Sequence, residues 1–303
     1  MGARHKILPV VFGPTGVGKT NISIEVAQKL GAEIVSCDSR QVYQYMDIGT
    51  GKPTKEELAK VKHWLIDVIP PDETLNAWEY AQIARAKIRE IWDRGKTVIV
   101  VGGAGLYLRA LIDGFFKMPS SDRSVRERLH IESITSLYKK LSEVDKDTAD
   151  KLHSNDKVRI IRALEVYEIT GIPISVLKAQ RLPFDCTPIY IGLNMPRPIL
   201  YKKIDERVAQ MKSAGLLQEV KTLLQIYPPT LNSFQTIGYQ ELISYLQGKL
   251  SLNEAVRLIK RNTRRYAKRQ LTWFRSIKGV QWIELPDPQA TLKCLNLVNQ
   301  WQV

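Results

Sequence analysis

Gly13-Pro14-Thr15-Gly16-Val17-Gly18-Lys19-Thr20 follows the apolar run Ile7 to Phe12 and precedes the helix-like stretch Asn21 to Leu30. Strand, glycine loop and helix in that order form the context a phosphate-binding P-loop requires. Gly16 and Gly18 let the backbone curl so that successive N–H groups point inward, Lys19 adds a point charge, and the Thr20 hydroxyl suits a hard cation such as Mg2+. The pattern predicts a site for two or more linked phosphates, with ATP or another nucleotide as the default ligand. It names a ligand group, not a reaction.

Downstream, Ile34 to Ser36, Leu65 to Val68 and Thr97 to Val101 read as further strands. Lys55 to Lys60 and Asn76 to Arg94 read as helices between them, the βαβ rhythm of a parallel sheet. The loop then sits at the carboxyl end of the first strand, where open α/β sheets bind ligands. From Pro119 to about Asp185 charged helical patterns replace the strand signal, with Asp122 and Asn155 as N-cap candidates. Ile189 to Leu193 resumes the sheet. Amphipathic helices follow over Leu200 to Gly215, Leu216 to Ile226 and Leu252 to Phe274, then a last strand over Val280 to Leu285. The expected fold class is α/β, a P-loop NTPase-like parallel sheet flanked by helices, with a helical insertion domain. The catalytic core is expected at 1–117 and 187–303, and the insertion at 118–186.

The chain has 303 residues, 44% of them hydrophobic and 25% charged, as in a soluble globular protein of about two domains. No apolar run approaches the roughly 20 residues that span a bilayer. Met1 to Lys6 is too short and polar for a signal peptide, and Lys6 stands where a myristoylation signal wants Ser or Thr. A cytoplasmic protein is expected. Cys37, Cys186 and Cys294 are odd in number and far apart, which supports neither a disulfide framework nor a zinc site. The net charge of +14 points to a polyanionic partner. It is concentrated near the C-terminus, where no acid intervenes between Glu254 and Glu284.

Four groups could carry chemistry. Asp38-Ser39-Arg40-Gln41-Val42-Tyr43 follows the second strand, and a carboxylate there could bind Mg2+ or accept a proton from a nucleophile aligned with the bound phosphates. Gly102-Gly103-Ala104-Gly105-Leu106-Tyr107 lacks the third glycine of a dinucleotide fingerprint and reads as a turn that lets a ligand approach backbone closely. Arg159 and Arg162 share a helix face, with Glu165 placed to pair with Arg162. Arg257, Arg261, Arg264, Arg265 and Lys268 form one basic stripe, suited to a nucleic-acid backbone or to solubility, while Leu258, Ile259, Tyr266 and Phe274 can face the core. Trp273 and Phe274 suit base stacking or the core.

Together these motifs resemble one family, the tRNA dimethylallyltransferases of bacterial type, also called isopentenyl-diphosphate:tRNA isopentenyltransferases. The resemblance runs through Gly13–Thr20, Asp38–Tyr43, Met46–Pro53, His63–Asp67, Gly102–Tyr107, His153–Asp156, Arg159 with Arg162–Tyr167, Thr170-Gly171, Ile204–Val208, Gln235–Tyr239 and Arg265–Phe274. It implies transfer of a dimethylallyl group from dimethylallyl diphosphate to the exocyclic N6 amine of the adenosine immediately 3′ of the anticodon, in tRNAs reading codons that begin with uridine.

By the same resemblance, Gly13, Pro14, Thr15, Gly16, Val17, Gly18, Lys19 and Thr20 hold the diphosphate, with Mg2+ on Thr20. Arg207 matches a further diphosphate-contacting arginine, and Asp38 the general base. The implied tRNA contacts are Asp38, Ser39, Arg40, Gln41, Ala104, Arg126, Val158, Arg159, Ile160, Ile161, Arg162, Thr236, Ile237, Gly238, Tyr239, Gln240 and Glu241. Expected partners are the anticodon stem-loop and dimethylallyl diphosphate, with no membrane, for a monomer. The chain departs from the family at Ala104, where Thr is commoner, and at Trp64, where His is commoner. Two other readings fit the residues. A P-loop kinase for a small metabolite would use Asp38 to activate a hydroxyl, and a non-enzymatic RNA-binding module would use the loop to gate affinity.

Overall fold

The computed structural model describes residues 6–117, 119 and 121–300. Of the N-terminal stretch read for targeting signals, Met1 to His5 lie outside the described residues, as does Met118 at the expected domain boundary.

In chain order, β1 (Ile7–Phe12), α1 (Lys19–Leu30), β2 (Glu33–Cys37), α2 (Lys55–Lys60), β3 (His63–Trp64), α3 (Ala77–Asp93), β4 (Val98–Gly102) and α4 (Gly105–Asp113) come first. Five helices follow: α5 (Arg123–Ile131), α6 (Ile134–Val144), α7 (Lys146–Ala149), α8 (Lys157–Thr170) and α9 (Ile174–Ala179). The chain continues through β5 (Thr187–Asn194), α10 (Arg197–Ser213), α11 (Leu216–Leu224), α12 (Tyr239–Leu246), α13 (Leu252–Phe274), β6 (Gln281–Glu284) and α14 (Ala290–Asn299). It divides into two compact units, residues 1–112 with 185–303, and residues 113–184.

The first unit is a six-stranded sheet of order β3-β2-β4-β1-β5-β6 with every pairing parallel. β1, β2 and β4 are buried almost throughout, because a parallel sheet carries helices on both faces and needs apolar side chains on both. One core cluster joins Val11, Ile34, Ile99 and Ile191 of the strands to Ile24 of α1, Leu200 and Ile204 of α10, and Ala267 and Leu271 of α13. Capping residues fix the helix limits. Asn76 caps α3 and Ser251 caps α13, each in a reciprocal box with the Glu three residues on.

The second unit is helical, built on Leu129, Leu137, Leu141, Ile160, Ile161 and Leu164. Asp122 caps α5 as the sequence predicts, but Asp156 and not Asn155 caps α8, its carboxylate accepting from the Arg159 N–H at 3.3 Å. A second difference concerns the expected strand Leu65 to Val68. The ladder stops at Trp64 because Leu65 and Asp67 take left-handed φ values of 63° and 57°, and Asp67 is drawn into an ion pair with Lys52. α12 and α14 were not legible as separate helices.

Candidate active site

Strand register assembles the site. Phe12 pairs with Gly102, and Gly102 with Cys37, so β1, β4 and β2 end at one level. The residues that follow are Gly13 of the P-loop, Gly103 of the glycine turn, and Asp38. With strands about 4.8 Å apart, the loop and the carboxylate leave the same edge of the sheet roughly 10 Å from each other, with the glycine turn between them.

The loop curls because Gly16 and Gly18 adopt φ of 81° and 104°, which a side chain would strain. Val17 N–H donates to Pro14 O at 3.3 Å, and α1 starts immediately after, presenting N–H groups that have no intrahelical acceptor. Lys19 folds back over the loop, its Nζ donating to Gly13 O at 2.9 Å and Pro14 O at 3.0 Å. Burial lowers its pKa to about 8, with Asp38 pulling it up and Arg207 pushing it down.

One carboxylate oxygen of Asp38 accepts from the N–H groups of Arg40 at 2.8 Å and Gln41 at 3.4 Å, an Asx turn that fixes the side chain. Its other oxygen has no hydrogen-bond partner among the described residues. Ser39, Arg40 and Gln41 are half-buried around it. Gln41 Nε2 donates to Gly51 O at 3.2 Å, and Arg207 of α10 reaches the same carbonyl at 3.5 Å. Burial pulls the Arg207 guanidinium below the ordinary arginine range, and Asp38 opposes that shift.

Two residues to which the sequence reading gave no role hold these parts in place. Glu219 of α11 accepts from the N–H groups of Asp47, Ile48 and Gly49 at 3.0, 2.8 and 3.1 Å, and so fixes the loop that ends in Gly51. Nothing local in the sequence marks it. Gln270 of α13 accepts from Thr15 N–H at 2.9 Å and donates to Gly103 O at 2.9 Å. Its signal was a polar residue at helical spacing from buried Ala267 and Phe274, a place where an amide must find partners.

Other predicted residues fall as follows. Ala104 sits on the glycine turn, its N–H donating to Cys37 O at 3.1 Å. Thr236, Gly238, Tyr239 and Glu241 are buried, so Ile237 and Gln240 are the more accessible members of that segment. Thr236 Oγ1 donates to Ser233 O, and Glu241 accepts from Gly238 N–H and Asn262 Nδ2. In the helical unit, Ile160 and Ile161 belong to its core, whereas Val158 is 77% exposed and Arg159 is exposed beside it. Glu165, fully buried, pairs with Arg162 at 2.5 Å and with Arg126 at 2.9 Å.

The basic stripe needs one correction. Arg264 is committed to Asp205 of α10, at 2.7 and 2.8 Å to its two oxygens. Arg257, Arg265, Lys268 and Arg269 are the exposed cations of α13. Phe274 is core, stacked on Phe12 at 4.7 Å between ring centroids, and Trp273 covers Gly105, where a Cβ would lie 2.4 Å from its ring.

The family model for IPP transferase matches residues 41–277. The chain belongs to the IPP transferase family. Relatives match over more than nine-tenths of the chain. A tRNA dimethylallyltransferase of Symbiobacterium thermophilum is 48% identical over 93% of this chain and 91% of its own, and tRNA dimethylallyltransferase 2 of Geotalea uraniireducens is 45% identical over 94% of each. Among solved structures, the full-length tRNA isopentenylpyrophosphate transferase of Bacillus halodurans superimposes with a TM-score of 0.73 at 38% identity, covering 98% of this chain and 96% of that one. A eukaryotic dimethylallyltransferase acting on tRNA gives 0.84 at 29% identity, over 98% and 79%.

Proposed function

We propose that this protein transfers the dimethylallyl group of dimethylallyl diphosphate to the N6 amine of the adenosine immediately 3′ of the anticodon, in tRNAs that read codons beginning with uridine. The observation that carries the reading is the common level at which β1, β4 and β2 end, which sets a diphosphate loop and a fixed carboxylate on one edge with a glycine turn between them. The family and the names of its members supply the two substrates.

The chemistry follows from what each group can do. The loop N–H groups, Lys19 and Arg207 bind the diphosphate, and their positive charge favours cleavage of the bond between the allylic carbon and oxygen as negative charge grows on the leaving group. The adenine amine forms the new carbon–nitrogen bond, and its surplus proton passes to the free oxygen of Asp38. An unpaired anticodon loop makes turning the base out of its stack inexpensive.

Mg2+ suits this site through Thr20, a half-buried hydroxyl on the first turn of α1 with no hydrogen-bond partner among the described residues. No group of three or more His, Cys, Asp or Glu that could hold a metal occurs among the described residues, and Thr20 is the side chain that would hold the ion. When bound it neutralises the diphosphate.

No helix among the described residues is long and apolar enough to cross a membrane. The reading places the enzyme in the cytoplasm as a monomer that meets the anticodon stem-loop with Arg265, Lys268 and Arg269. The accessible Val158 and Arg159 of the helical unit serve the same RNA.

The test is incubation with Mg2+, labelled dimethylallyl diphosphate and unmodified tRNA. Label in the RNA supports the reading; none, with phosphate moved from ATP to an acceptor, overturns it in favour of a kinase. Asp38→Ala should lower turnover by about 10²–10⁴-fold while tRNA affinity changes little. A proportional loss of both would argue against a base.

A further inference from the structure

Gln270 uses both ends of its amide on loops that belong to opposite sides of the proposed reaction. Its oxygen holds Thr15 N–H, in the loop assigned to the diphosphate. Its Nε2 holds Gly103 O, in the turn assigned to the acceptor side. Both bonds measure 2.9 Å, and the residue is 7% exposed, so water cannot readily replace either one.

The contact is tight as well as bonded. A Cβ on Gly103 would lie 2.5 Å from the Gln270 nitrogen, so the amide rests directly on backbone. The turn continues the connection, since the N–H groups of Gly103 and Ala104 donate to Cys37 O at 3.2 and 3.1 Å, and Cys37 precedes Asp38. On the same helix, Lys268 and Arg269 are exposed.

We infer that Gln270 is a positioning residue: it fixes the distance between the diphosphate loop and the acceptor turn, so that the allylic carbon and the adenine amine meet in line. The inference rests on the prenyl-transfer reading. Each half-site keeps its own binding groups without Gln270, the loop through Lys19 and its N–H groups, the acceptor side through Asp38 and the basic helix. What the amide adds is their registration, and a misplacement of about 1 Å can cost a reaction 10²-fold.

The experiment compares the unsubstituted protein with Gln270→Met, which keeps the volume and loses both bonds, and Gln270→Asn, which is one methylene too short to span the two loops. Three quantities are read: kcat for prenyl transfer, the Kd for inorganic pyrophosphate, and the Kd for an unmodified anticodon stem-loop. The expected result is a fall in kcat of about 100-fold in Gln270→Met and at least 10-fold in Gln270→Asn, with both Kd values within about 3-fold of the unsubstituted protein. A kcat that stays within 3-fold, losses in Kd that account for the lost rate, or failure of both variants to fold would assign Gln270 to structure alone and overturn the inference. Absence of transfer by the unsubstituted protein would instead overturn the reading beneath it, and the inference with it.

Discussion

The hydroxyl of Tyr239 donates to Oε1 of Glu219 at 2.6 Å, while the same carboxylate receives three backbone N–H groups from the loop Asp47 to Gly49. A segment expected to touch tRNA thus spends its aromatic residue inside the protein, with Tyr239 fully buried. Tyr239→Phe removes one hydrogen bond to a charged group and should cost about 1.5–3 kcal/mol. Glu219→Ala strands four donors, the Tyr239 hydroxyl and three backbone N–H groups, and should cost more, with loss of activity through the loop it holds. Urea denaturation of both variants checks the order, and a Glu219→Ala protein as stable as Tyr239→Phe would contradict it.

Gly51 sets a second constraint. Its φ is 62°, and a Cβ built on it would lie 1.6 Å from Arg207 Nη2. Gly51→Ala should therefore displace the guanidinium and lower kcat/KM for the diphosphate donor by roughly 10–100-fold, a loss of about 1.4–2.7 kcal/mol of transition-state stabilisation. Because the effect runs through Arg207, the same substitution made on an Arg207→Ala background should add little. Additive losses in that double-mutant cycle would dissociate the two residues.

Burial holds the Lys19 pKa at about 8, below its ordinary 10.5. Between those values the folded protein binds fewer protons than the unfolded chain, so this group's contribution makes stability rise with pH across that window and remain unfavourable below it. A bound diphosphate restores the charge. Pyrophosphate binding at pH 9 should then take up roughly one more proton in the unsubstituted protein than in Lys19→Met. Calorimetry in buffers of different ionisation heat measures the difference, and equal uptake by the two proteins would refute the assignment.

Salt dependence separates the arginines of α13. Replacing Arg265, Lys268 or Arg269 by Ala should each lower the slope of log K for tRNA against log salt by about one. Arg264→Ala should leave the slope unchanged and cost about 1 kcal/mol of stability, since its guanidinium, half-buried like its partner, belongs to Asp205. An Arg264→Ala slope as shallow as that of Arg265→Ala would return it to the RNA-facing group.

Features encoded within a turn or two of chain were legible in the sequence. The glycine loop lies between a strand and a helix as read, α2 and α13 span the residues their sequence patterns mark out, and Asp122 caps α5. These depend on short-range hydrogen bonds and on which faces are apolar, and residue order states both. The strand expected over Leu65 to Val68 failed because an ion pair with Lys52, distant in sequence, overrides local β preference.

What the tertiary structure alone decided is the choice of partner for each polar side chain. Arg264 looked like its neighbours on the helix until Asp205 claimed it. Gln270 meets Thr15 across 255 residues, and Glu219 meets Asp47 across 172. The sequence by itself determined that a phosphate loop, a carboxylate and a basic helix exist, because each is a local pattern. Parallel strand pairing brought them to one edge, and burial of the α13 inner face set the Gln270 amide against the two loops it joins.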